Sequence, residues 1–232
     1  VEIDHLTKQD VRLDDVILAA GNRPDGKLQV TLRTDPKPAK YRIDLDALVT
    51  PGDTIGVDLQ RHIIRPGRGP EWRGKNAHIA IGPELIEIRD LTSASADGKL
   101  AINATLGRKT GDIDAKVDGK VKLSALNPAY RGSADAHIAV QRAGGRFAGD
   151  VDASIHGFAM DPKGTNTIDG TAKITAKEGE LVAAIQATNP RVGSAKIDVD
   201  VNGPRDMGNV AAWKVLTRSA VKDLHIQLSK LD

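Results

Sequence analysis

The sequence predicts an all-β chain: an elongated, curved antiparallel sheet, taco- or groove-like, with an apolar concave face and at most one short helix. Three observations carry this. Apolar and polar residues alternate strictly, so that Ile113, Ala115, Val117, Gly119, Val121, Leu123 and Ala125 share one phase. Asp112, Asp114, Lys116, Asp118, Lys120 and Lys122 share the other. That is the period of a strand with one dry and one wet side. Turn formers are frequent, with 23 Gly and 11 Pro among 232 residues. Aromatic residues make up only 3% of the chain, so the dry side is built from small aliphatic groups, with no Trp anchor on a regular strand.

The alternation recurs in chain order at Leu28-Val30-Leu32, Tyr41-Ile43-Leu45, Ile55-Val57-Leu59 and Ala77-Ile79-Ile81. It continues at Leu100-Ile102-Ala104-Leu106, Ala134-Ala136-Ile138-Val140 and Val151-Ala153-Ile155. The later members are Ile168-Gly170-Ala172-Ile174-Ala176, Leu181-Ala183-Ile185-Ala187, Ala195-Ile197-Val199-Val201 and Leu224-Ile226-Leu228. These make about a dozen strands separated by turn signals. The segment 65–74, RPGRGPEWRG, reads as a loop, because Pro and Gly interrupt both regular structures. The spacing of Val210, Trp213, Leu216 and Ala220 predicts a short linker helix over 209–220.

Two hairpin registers follow from turn geometry. A two-residue turn at Gly144-Gly145 sets Val140 against Gly149, Ile138 against Val151, Ala136 against Ala153 and Ala134 against Ile155. A turn at Glu178-Gly179 sets Ala176 against Leu181, Ile174 against Ala183 and Ala172 against Ile185. A longer loop through Asn189-Pro190 then brings Ile197 and Val199 beside Ile185 and Ala183. The connections at Asp25-Gly26 and Asp97-Gly98 do not satisfy a two-residue register and call for longer loops or bulges.

Composition excludes several function classes. Lys plus Arg is 33 and Asp plus Glu 31, a net charge of +2. That balance speaks against a dedicated nucleic-acid binder. The absence of Cys removes disulfides, thiolate metal sites and Cys nucleophiles. Hydrophobic residues are 40%, enough for a core. No 18-residue apolar run and no signal peptide are present. The chain opens on Val1 without a Met, so 1–232 reads as a single elongated segment, a mature product or a middle piece of a longer protein.

A sheet with one apolar face needs a cover, which a second sheet, closure or a ligand can supply. Side by side, a dozen strands would span roughly 60 Å. An aliphatic trough of that size suits acyl chains: burying a sixteen-carbon chain gains on the order of 12 kcal/mol. The candidate acyl-lining residues are Val117, Val121, Leu123, Ile138, Val140, Val151, Ile155, Ile168, Ile174, Leu181, Ile185, Ile197, Val199 and Val201.

The segment 123–155, LSALNPAYRGSADAHIAVQRAGGRFAGDVDASI, resembles the repeats of the TamB family (translocation and assembly module; AsmA-like periplasmic β-groove proteins). Both read as an apolar end, a Pro-containing loop, a Gly, an alternating strand, a short turn and a second alternating strand. Residues 88–106, IRDLTSASADGKLAINATL, are similar to the family's strand–Asp-Gly–strand unit, and 212–231 to its inter-repeat linker. The resemblance implies a taco-shaped sheet with an apolar interior, in the periplasm, as part of a parent protein anchored in the inner membrane. It implies phospholipid transport between inner and outer membranes, with acyl chains as partners. The alternative it implies is assembly of outer-membrane β-barrel proteins or autotransporters with a TamA-type outer-membrane barrel. A ligand-free, adhesin-like β-sandwich stands as a further alternative, and self-association of the segment through its apolar rim as a further property.

Nothing in the residues points to catalysis, a metal or a cofactor. The run Asp198-Val199-Asp200-Val201-Asn202-Gly203 imitates the start of a calcium loop, but position twelve is Asn209 rather than Glu, so it reads as a strand ending in an Asn-Gly turn. His78, His137, His156 and His225 fall on the polar phase, with His156 expected opposite Arg131 rather than His137. Asp112/Asp114 and Asp150/Asp152 alternate with apolar residues and read as cross-strand charge partners. Arg61, Arg65, Arg68, Arg73 and Lys75 read as a solvated basic stretch. G-x-S-x-G, H-E-x-x-H, Walker A and G-x-G-x-x-G are all missing, so the chain is not expected to be an enzyme.

Overall fold

The computed structural model describes residues 2–8, 11–34, 41–66, 69–160, 166–206, 210–214 and 220–230. The chain is nearly all β, 72% strand and 4% helix, and its strand pairs are antiparallel. Where the sequence reads as one segment, the fold divides into two compact units, Val1–Lys109 and Thr110–Asp232.

The first unit holds β1 (Glu2–Lys8), β2 (Val11–Asn22), β3 (Leu28–Arg33), β4 (Arg42–Thr50), β5 (Ile55–Arg65), β6 (Trp72–Gly74), β7 (Ala77–Ile81), β8 (Leu85–Ser95) and β9 (Gly98–Gly107). Each pairs with its chain neighbour except at β6 and β7. Both of these lie between β5 and β8: β7 pairs with Ile55–Leu59 and β6 with His62–Ile64. The 65–74 segment is therefore not all loop. Arg65 ends β5 and Trp72 stands on a strand of its own, while residues 67–68 fall outside the described set. Gly74 makes β6 feasible, since a Cβ there would sit 1.9 Å from the Thr92 carbonyl and 2.2 Å from His62 Cε1. β1 and β2 also escape the alternation pattern.

The expected irregularities sit where register required them. β2 and β3 are joined by a five-residue loop, since Asn22 pairs with Leu28. The β8–β9 turn closes at Ser95 and Gly98, one residue earlier than Asp97-Gly98 suggests, and β8 carries a bulge between Ile88 and Leu91. Asp90, with φ of 56°, is the extra residue. Its N–H donates to Asn103 Oδ1 at 2.8 Å. One added residue inverts side-chain parity, so Ile86, Ile88 and Leu91 all stay opposite Leu106, Ala104 and Ile102. The core of this unit is Ala47, Leu59 and Ala77, flanked by Leu45, Val57 and Leu91.

The second unit holds β10 (Ile113–Lys122), β11 (Arg131–Ala143), β12 (Arg146–Ala159), β13 (Ile168–Lys177), β14 (Glu180–Asn189), β15 (Gly193–Asn202) and β16 (Val221–Lys230), each paired with its chain neighbour. The Gly144-Gly145 and Glu178-Gly179 turns have positive φ at both central residues, the geometry that two-residue hairpins favour. All the registers derived from them are present, including Ile138↔Val151, Ile174↔Ala183 and Ile185↔Ile197. The helix α1 covers Val210–Trp213. Asn209 and residues 215–219 of the expected linker helix fall outside the described residues. No helix among the described residues is long and apolar enough to cross a membrane.

Two expectations are corrected here. Leu123 and Ala125 do not extend β10. They form a 3₁₀ turn, Leu123–Ala125. The N–H groups of Leu126 and Asn127 both donate to Leu123 O, and Asn127 Oδ1 accepts the Ala129 N–H at 2.9 Å across Pro128. These local bonds outcompete the ladder. The Asn202-Gly203 pair is also no hairpin turn: the Gly203 N–H donates to Gly179 O at 2.6 Å, and the chain runs on toward α1.

Candidate functional site: the apolar face of the second unit

The ladder of the second unit assembles the alternating residues into rows that cross every strand. One row reads Val117, Ile138, Val151, Ile174, Ala183, Val199, Leu224. The next reads Gly119, Ala136, Ala153, Ala172, Ile185, Ile197, Ile226, and the next Val121, Ala134, Ile155, Gly170, Ala187, Ala195, Leu228. On the other side of the first row lie Ala115, Val140, Gly149, Ala176, Leu181, Val201, Val221. Every member is aliphatic or Gly. Neighbouring strands lie about 4.8 Å apart, and successive residues on one face about 7 Å. The result is a continuous hydrocarbon surface without a polar interruption.

These rows contain Val117, Val121, Ile138, Val140, Val151, Ile155, Ile174, Leu181, Ile185, Ile197, Val199 and Val201, so one face brings together twelve of the sequence-derived candidates. Ile168 continues the same phase opposite Phe158. Leu123 does not belong: it is 7% exposed, tucked into the 3₁₀ turn. The β16 members Leu224, Ile226 and Leu228 extend the face beyond the sequence-derived set. Their alternation was visible, but nothing in the sequence marked β16 as adjacent to β15 across a long connection.

The face is not closed over. Ile155, Ile168 and Ile185 remain 40–41% exposed, and Leu228 76%. All ten residues of β16 are exposed. Contiguous exposed apolar surface marks an interaction site more often than a core. At one end of the strands the surface deepens into a cavity of ≈ 460 Å³, lined by Ile168, Asn189, Val192, Gly193, Leu228 and Lys230 among others. A second cavity of ≈ 290 Å³ shares Ile168 and includes Phe158 and Met160. Tyr130 meets Phe158 edge to face there, with ring centroids 5.6 Å apart.

The opposite face of the second unit is polar and internally paired. Asp118 and His137 are 2.6 Å apart, Lys120 and Asp135 3.2 Å, and Lys173 and Asp152 3.3 Å. Asp150 accepts the Thr175 hydroxyl at 3.1 Å. The Gly144 N–H on Asp112 at 2.9 Å holds that carboxyl below the usual range. Asp112, Asp150 and Asp152 are thus engaged with groups outside their own strands. Asp198 and Asp200 lie within β15 and are held by Lys196 and Lys222. His156 stands opposite Ser133, not Arg131, because the hairpin register runs unbroken that far and shifts only beyond it.

In the first unit two members of the basic stretch, Arg61 and Arg73, are held in ion pairs, and Arg68 falls outside the described residues. Arg61 and Arg33 both bind Asp46, at 2.7 and 2.5 Å, and Arg42 bridges Asp44 and Glu71. Arg73 binds Glu71 at 2.5 Å. Burial opposes ionisation of Asp46, but the hydrogen bonds from Arg33 and Arg61 outweigh it and lower its pKa. The hydrogen bond from Arg73 lowers that of Glu71 against a smaller burial effect, with the charges of Arg42 and Arg73 adding to it. The hydrogen bond with His78 at 2.7 Å does the same for Asp58.

One group was not flagged by sequence. His62 is 2% exposed, with Nε2 3.1 Å from Ser93 Oγ and Nδ1 without a hydrogen-bond partner. Burial lowers its pKa. It fills the space left by Gly74 at the junction of β5, β6 and β8. No group of three or more His, Cys, Asp or Glu among the described residues is arranged to hold a metal ion. No family model, no curated protein and no solved structure matches the chain.

Proposed function

We propose that the chain is a periplasmic β-groove segment of a TamB-like protein, whose second unit shields acyl chains during phospholipid transport between the inner and outer membranes. One observation carries the reading: unbroken aliphatic rows cross β10 to β16 and, apart from the buried Ala176 and Ala183, stay at least partly exposed. A ligand-free sandwich would bury such rows under a second layer. The four rows carry no ring and no hydrogen-bonding side chain, which suits a ligand that is held by its hydrocarbon and slides along it. The wet face, its charges paired internally, keeps the other side in water.

A second reading has its own observation. β16 is an exposed outermost strand whose apolar residues continue the rows, and such an edge can accept an added strand. That would serve assembly of outer-membrane β-barrel proteins with a TamA-type barrel contacted by the parent protein.

The deciding experiment is native mass spectrometry with lipid extraction on protein purified from a Gram-negative host, joined to labelling with a photo-crosslinking acyl probe. Near-stoichiometric phospholipid, with crosslinks on β10–β16, is the expected result. Lipid-free protein that also escapes labelling ends the acyl-chain reading.

A further inference from the structure

Each end of the apolar face carries a cation on the apolar phase, and the two are treated differently. At one end Arg142 continues the phase of Val140 and Ile138. Its guanidinium is neutralised by Asp206 at 2.8 Å and donates to Gly111 O at 3.0 Å. At the other end Lys230 continues the phase of Leu228 and Ile226, and it makes no ion pair with any described residue. Lys230 pairs with Gly193, which in turn pairs with Asn189. Gly193 has φ of 126° and no room for a side chain, since a Cβ would lie 2.0 Å from Ser229 O. Its missing side chain leaves the ≈ 460 Å³ cavity between Lys230 and Asn189. Asn189 is locked: its amide donates to Asn166 Oδ1 and Thr167 O, and its Oδ1 accepts the N–H groups of Arg191 and Val192.

Among the described residues, the charged groups around this cavity are one-sided. Arg191 sits in the turn beside it and, like Lys230, makes no ion pair with any described residue. The nearby carboxylate, Asp169, is on the polar phase opposite Thr188 and accepts the Gly157 N–H at 2.8 Å. The hydrocarbon surface thus ends at a positive charge with no ion-pair partner among the described residues, beside a cavity of ligand size.

We infer that this cavity receives the anionic headgroup of a lipid whose acyl chain lies on the apolar rows, with the Lys230 ammonium as its counter-charge. The inference rests on the acyl-chain reading and adds headgroup class and orientation to it: head at the Lys230 end, tail toward Arg142.

The test titrates palmitoyl lysophosphatidylglycerol and palmitoyl lysophosphatidylcholine, identical in chain, into the full chain and into Lys230→Gln and Lys230→Arg, below the lipids' aggregation concentrations. Inorganic phosphate is titrated alone in a parallel arm. The anionic lipid should bind about two- to fivefold more tightly, the size of one exposed charge pair. That preference should vanish in Lys230→Gln, persist in Lys230→Arg and shrink with salt. Lys230→Gln should still bind the choline lipid as the parent does, which also reports that it is folded. Equal binding of the two lipids, or a preference that survives Lys230→Gln, overturns the headgroup assignment while leaving the acyl-chain reading in place. Phosphate binding lost in Lys230→Gln reassigns the cavity to a free anion. Binding of neither lipid ends both readings together.

Discussion

Acidification should strike the junction of β5, β6 and β8 through His62. The imidazole is 2% exposed, its Nδ1 has no partner, and the carboxylates opposite its strand neighbours, Asp46 and Asp44, share the other face with Arg61 and Ile63. Charging the ring there would bury a cation without a counter-ion. Its pKa in the fold lies below the ordinary 6.5, with burial as the cause. The unfolded chain therefore takes up a proton that the folded chain refuses. The contribution of His62 is full above pH ~6.5 and is lost as pH falls through and below that value. Lowering pH from 7.5 to 5.5 costs up to roughly 1.4 kcal/mol, the limit reached when the folded ring takes up no proton. Urea denaturation of the parent and of His62→Gln at both pH values measures it, since the variant should lose about that much less. NMR titration of the imidazole resonances gives an independent reading: the His62 signal should titrate below the ordinary imidazole value. Equal pH losses in parent and variant, together with a His62 resonance that titrates near 6.5, would refute the reasoning.

Other consequences are equally open to measurement. Val151→Asp places a charge in the middle of the central row and should abolish acyl-probe labelling while far-UV circular dichroism keeps its β signature; retained labelling would count against the apolar face as the site. Gly74→Ala should destabilise the first unit by about 1–3 kcal/mol, the usual cost of overpacking, and should speed amide exchange across β6. Below pH ~4 a further loss of stability is expected, because Asp46, Asp58 and Glu71 have folded pKa values below their ordinary ones. What they contribute is present above the unfolded pKa and disappears as the pH falls. Asp46→Asn should blunt that acid limb, measured as the midpoint of acid unfolding.

The second unit was largely legible because two signals reinforced each other. Parity assigned each residue a face, and the short turns at Gly144-Gly145 and Glu178-Gly179 fixed which partners met. A register error of one residue would have turned Val151 toward water, so pattern and turn constrain each other. Parity fails where local bonding takes over. Leu123 keeps the phase of Val121 yet leaves the strand, because the Asn127-Pro128 turn offers its backbone other partners. In the first unit, extra residues at Asp90 in β8 and Gln60 in β5 invert the phase in mid-strand, so no period of two spans them. His62 was illegible for the same reason: its burial comes from Gly74 on a three-residue strand inside a segment rich in loop formers. Lys230 was legible only as the end of an alternation; that it faces the cavity depends on Gly193, thirty-seven positions earlier.

Because the strands from β10 to β16 pair in chain order, each only with its chain neighbours within the unit, the second unit is close to a one-dimensional system. Its cooperativity is a sum of nearest-neighbour couplings, and the cheapest opening is to peel β16, which has only one partner strand. A hydrocarbon lying along a row touches several strands at once, and so supplies couplings between non-neighbours that the polypeptide itself lacks. Cargo on such a surface would tie the meander together, and an unloaded unit would fray from its free end.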